Sequence, residues 1–97
     1  MPDPKWPFED DPNDAVITVR QVVDGGAPIL HVSHDPDDWQ FLPGGEVVEE
    51  DVMFVSLEEI IELDDTIGAL ADLPIGWEAS RTKIGAPWTR KVSPPED

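Results

Sequence analysis

Cysteine and tyrosine are both absent from this 97-residue chain. Without cysteine there is no disulfide framework, no zinc–thiolate site and no thiol nucleophile. Without tyrosine, four Trp and three Phe must supply the aromatic mass of any core. Basic residues are scarce too, with six Lys and Arg against 22 Asp and Glu and a formal net charge of −16. Binding to nucleic acid relies on Lys and Arg displacing counterions from phosphate. Anionic membrane surfaces are read by the same basic groups. Neither partner is expected. No apolar run approaches the ~20 residues that span a bilayer. The N-terminal MPDPKWPFEDDPND has neither the basic start nor the apolar stretch of a secretory signal. A cytoplasmic protein is expected.

What the chain has instead is acid. Seventeen of the 22 carboxylates fall in residues 1–64, while four of the six bases (Arg81, Lys83, Arg90 and Lys91) fall within residues 81–91. Such an imbalance favours fast, salt-sensitive encounter with a basic protein. The competing reading is that the acidity only maintains solubility. The length fits one domain, burying about two thirds of its unfolded surface. Composition divides the chain into a proline-rich acidic N-terminal arm over 1–14, a single α+β domain over 15–92 and a tail over 93–97. Trp6 or Phe8 is expected to plug the domain surface, or else to anchor a partner.

AVITVRQVV, residues 15–23, has the β-branched density of a strand. Asp24-Gly25-Gly26 suits a hairpin turn, and residues 28–33 read as the returning strand with Leu30 and Val32 on one face. HDPDD over 34–38 is a turn. Residues 39–42 form a third strand with Trp39 and Phe41 on one face, and 52–55 a buried fourth. Ser56 caps a helix, with Glu59 reaching back to the Ser56 amide; Leu57, Ile60 and Ile61 follow at helical spacing. Asp65 caps a second helix carrying Ile67, Leu70 and Ala71, which Leu73-Pro74 stops. Residues 75–81 and 88–92 supply the last strands. The expected fold class is α+β, a mainly antiparallel sheet of about five or six strands with one or two short helices on one face.

HVSHDPDD places His31, His34, Asp35, Asp37 and Asp38 within eight residues. A small-ligand or metal-binding module would use His31, His34 and Asp35. Positions three apart on a strand face opposite sides, however, and the spacing matches no metal motif. No metal or cofactor is expected. Glu46, Glu49, Glu50 and Asp51 form the densest acidic loop, flanked by Val47, Val48 and Met53. It lacks the ligand spacing and glycine of an EF-hand. As a binding epitope it is the better candidate, with Asp37 and Asp38 at the neighbouring turn. Trp39 is either core or the apolar centre of that patch. Ser33, Ser56, Ser80 and the two His are the available nucleophile and base types, but no Gly-x-Ser-x-Gly elbow exists. No catalytic residue is assigned. The bases at 81–91, joined by Arg20 if the strands pair, read as internal neutralisation or as a basic rim beside Trp77 and Trp88.

Asp38-Trp39-Gln40-Phe41-Leu42 followed by Gly45-Glu46 resembles the W-x-F-x-x-G-x-E segment of the bacterial immunity protein 33 family, first catalogued as domain of unknown function 2185. IGALADLPIGWEA over 67–79 resembles that family's leucine-aspartate-proline-glycine segment, and SLEEIIELDDTI its acidic amphipathic stretch. The resemblance implies a non-enzymatic partner of a polymorphic toxin and carries over no catalytic residues. The expectation is therefore a non-catalytic acidic interaction protein, with an immunity-type inhibitor of a basic protein as the form the resemblance implies. A ligand or metal module at His31, His34 and Asp35, and a structural domain or homodimer, stay open.

Overall fold

The β-branched run after the acidic arm forms a strand only over its first five residues. In the structure, a computed structural model describing residues 6–45 and 47–93, β1 is Ala15–Val19. The chain then winds into one helical turn, α1, Arg20–Val23, which buries Val22. Asp24-Gly25-Gly26 ends that turn instead of closing a hairpin. The Asp24 amide donates to the Arg20 carbonyl at 2.7 Å. A Cβ on Gly25 would meet the Gln21 carbonyl oxygen at 2.8 Å, and Gly26 carries a φ of 69°. Small residues and a positive φ serve a helix end as well as a hairpin.

The remaining strands are β2 His31–His34, β3 Trp39–Leu42, β4 Val52–Ser56, β5 Trp77–Ser80 and β6 Thr89–Val92. They form one six-stranded sheet in the order β4-β1-β3-β2-β5-β6. β1 runs parallel to β3, and the other pairings are antiparallel. The fold is α+β with a mostly antiparallel sheet. The 34–38 turn joins β2 to β3, the Asp35 amide donating to the Asp38 carbonyl at 2.8 Å.

Ser56 does cap α2, Leu57–Leu63, its hydroxyl accepting from the Glu59 amide at 3.2 Å. The second helical segment is a 3₁₀ helix over Asp65–Leu70, and its cap is Asp64 rather than Asp65, accepting from the Thr66 amide at 3.0 Å. Asp64 is preferred because its carboxylate also meets Arg81, as described below. The 3₁₀ turn Glu49–Asp51 leads into β4.

One sheet face presents Val16, Thr18, Val32, Trp39, Phe41 and Ala79 to a core that Leu57, Ile60, Ile67, Leu70 and Phe8 complete. Thr18 is the one buried hydroxyl in that face and donates to the Phe41 carbonyl at 2.7 Å. Ile29, just before β2, is buried as well. β4, expected to be buried, is an edge strand, with Val52 38% and Phe54 66% exposed. A four-residue apolar run has no period that separates a central strand from an edge.

Candidate functional site

The residues before β1 return to the sheet because they carry its missing aromatics. Phe8 is buried, with its ring edge-on to Trp39 at 5.3 Å. Trp6 packs on Phe8 at 5.8 Å and its indole donates to the Asp10 carbonyl at 2.7 Å. The Trp39 indole donates to Asp10 Oδ1 at 3.2 Å. Trp39 is therefore core, with only its polar edge reaching outward. Further along, the Asp14 and Pro12 carbonyls accept from the Leu57 and Glu58 amides, each at 2.9 Å, tying the strip to the start of α2.

This docking gathers carboxylates that are far apart in sequence. Asp10 and Asp14 come beside Asp35, Asp37 and Asp38 around a concavity of ≈ 330 Å³, with His34 and Trp39 in its wall. His34 stacks on Trp39 at 3.8 Å, and its Nδ1–H donates to the Leu73 carbonyl at 2.7 Å. The side-chain amide of Gln40 donates to Asp35 at 3.0 Å. The Asp11 amide donates to Asp14 at 3.2 Å. Among the described residues, no Arg or Lys pairs with any of these five acids.

Four of the described bases are engaged elsewhere. Arg20 meets Asp51 at 3.3 Å, Arg90 meets Asp72 at 2.8 Å and Lys91 meets Glu78 at 3.4 Å. Arg81 is buried, bound to Asp64 at 2.6 Å, with its guanidinium 4.2 Å over the Trp88 ring. Arg20 thus joins Asp51 and not the 81–91 group, because β1 pairs with β3 and β4 and not with β5 or β6. Partial burial raises the Asp64 pKa, but hydrogen bonds from Thr66 and Arg81 outweigh it and hold the carboxyl below its ordinary value of 3.8. Asp72 is held low as well, by the Arg90 hydrogen bond and charge.

The sequence-derived epitope is divided by the fold. Glu49 and Glu50 are exposed, while Asp51 is held by Arg20 and by Gln21, whose amide donates at 2.6 Å. Glu46 lies outside the described residues. Asp37 and Asp38 belong to the opposite end of the sheet: Ile17 pairs with Gln40 and Val19 with Val52, so the turn before β3 sits at the start of β1 and the 49–51 turn at its end. The turn's neighbours are instead Asp10 and Asp14. Only the Trp and Phe of the arm could have hinted at this, since aromatics seek burial.

His31 and His34 part company as the strand period demands. His31 Nε2 lies 3.0 Å from Glu78 Oε2 on the outer face, and His34 points to Trp39. Among the described residues no three His, Asp or Glu groups are placed to hold a metal ion. Among the same residues no helix is long and apolar enough to cross a membrane.

No family model, curated protein or solved structure matches this chain. The resemblance of Trp39 to Arg90 to the immunity protein family rests on its motif residues alone.

Proposed function

We propose that this is a non-catalytic binding protein whose acidic end covers a basic surface of a partner protein. The observation that carries this reading is the convergence of Asp10, Asp14, Asp35, Asp37 and Asp38 from two separate segments, with Arg20, Arg81, Arg90 and Lys91 paired elsewhere. Carboxylates so gathered repel one another, and a basic partner relieves that repulsion on binding. An immunity-type inhibitor acting in the cytoplasm is the biological form that the family resemblance suggests.

The test compares the chain with a variant carrying Asn at Asp35, Asp37 and Asp38, each immobilised and exposed to native lysate at low and at high salt. Wild type is expected to retain basic proteins that high salt releases, and the variant to retain far less. Retention indifferent both to salt and to the substitutions overturns the proposal.

A further inference from the structure

Among the described residues the sheet ends in two strands paired on one side only, β4 and β6, and they differ in a way that bears on partner choice. An unpaired edge offers backbone donors and acceptors to any extended chain, and proteins commonly guard it with charges. β6 is guarded by Arg90 and Lys91. β4, VMFVS, carries no charge and no proline along its length. Phe54 is 66% exposed there and pairs across the ladder with Ile17, as Val52 pairs with Val19. A shallow concavity of ≈ 250 Å³, walled by Val19, Val47 and Val48, opens beside the start of the strand.

The register settles which backbone groups face outward. The Leu57 amide donates to the Asp14 carbonyl, so the pair 14/57 exchanges hydrogen bonds and, by alternation, so do 16/55 and 18/53. Phe54 opposes Ile17 at a non-bonded position. Its amide and carbonyl therefore point away from β1, to the free edge.

We propose that the β4 edge takes up an extended segment of a partner protein as an added strand, one with an apolar centre and basic flanks. Charge complementarity selects this occupant. The uncharged strand is bracketed by Glu49 and Glu50 at one end, where Asp51 is already held by Arg20, and by Glu58 and Asp14 at the other. A strand of five residues spans roughly 16 Å, so Lys or Arg on both sides of a short apolar stretch reach both acidic groups. A second copy of this chain fits poorly. Two-fold pairing about Phe54 brings Glu49 and Glu50 of one copy toward Glu58 and Glu59 of the other, each chain carrying −16. The proposal deepens the acidic-partner reading by stating where and in what conformation the partner is held.

The probe is the peptide Lys-Arg-Val-Thr-Ile-Thr-Val-Arg-Lys, added to the full chain and followed by fluorescence anisotropy and by amide exchange. Binding is expected, with exchange of the Phe54 amide slowed about tenfold, as one added backbone hydrogen bond allows. Methylating alternate peptide amides is expected to weaken binding about tenfold by removing those bonds. This arm leaves the protein untouched. Phe54→Pro, whose lost donor faces the free edge, is expected to abolish the effect while the melting transition stays cooperative. If the methylated peptide binds as well as the parent and neutralising Asp35, Asp37 and Asp38 abolishes binding, strand addition is overturned while the acidic-end reading survives. If the peptide fails to bind at all, or the free protein sediments as a dimer whose Phe54 amide is already protected, the proposal is likewise overturned.

Discussion

Arg81 follows directly after β5 with its side chain 1% exposed, yet each guanidinium nitrogen has an acceptor. Nε donates to the Ile29 carbonyl at 3.0 Å, one terminal nitrogen to the Thr66 hydroxyl at 2.8 Å and the other to Asp64 at 2.6 Å. A buried charge of this kind stabilises little against an apolar replacement of the whole pair, but removing one partner strands the other. Arg81→Met is therefore expected to cost about 3–5 kcal/mol in urea denaturation. Combining it with Asp64→Leu should recover much of that loss. The pair also sets a pH dependence. The Asp64 pKa is lower folded than unfolded, so its contribution is present above the ordinary value of 3.8 and is lost as pH falls through the lower folded value. The stability gap between wild type and Asp64→Asn should be constant near neutral pH and close below about pH 4. A gap that widens on acidification contradicts this assignment.

At the scale of elements, the local signals were legible where the partner lies within a turn. Ser56 sits three residues before the amide it caps, and both the start of α2 and its cap could be read from the sequence. Ser56→Ala is expected to cost about 1 kcal/mol, measurable as a shifted urea midpoint with an unchanged slope. An unchanged midpoint would mean that water satisfies the Glu59 amide equally well. Elements whose extent depends on distant residues were less legible. β1 stops at Val19 because Arg20–Val23 winds to bury Val22 and to bring Arg20 and Gln21 to Asp51, thirty or so positions away. Asp64 takes the cap from Asp65 because Arg81 waits seventeen residues on. Propensity over a few residues carries no record of such contacts.

For the whole molecule, the charge that exposed ion pairs neutralise is small beside the remaining excess. Exposed pairs such as Arg90–Asp72 contribute little each, and a net −16 works against the compact state by self-repulsion. Salt screens that repulsion. Raising ionic strength from low values to about 0.5 M is expected to lift the melting temperature by about 5 °C, the shift that ~1 kcal/mol produces in a domain of this size. A fall in melting temperature over that range would mean that attractive pairs, not repulsion, dominate the folded state.

Several properties were determined by the amino-acid sequence alone: the sign and size of the charge, the absence of thiol chemistry, the short strands and helix start, and the aromatic inventory. Each depends on composition or on neighbours a few residues apart. Tertiary structure alone decided that β3 and not β2 lies beside β1, that Asp10 and Asp14 join the 34–38 turn, and that β4 is an edge with Phe54 facing solvent. Those outcomes turn on which distant surfaces bury together. Burial of Phe8 against Trp39 supplies the free energy that draws the acidic arm onto the sheet, and its carboxylates are carried along with the ring.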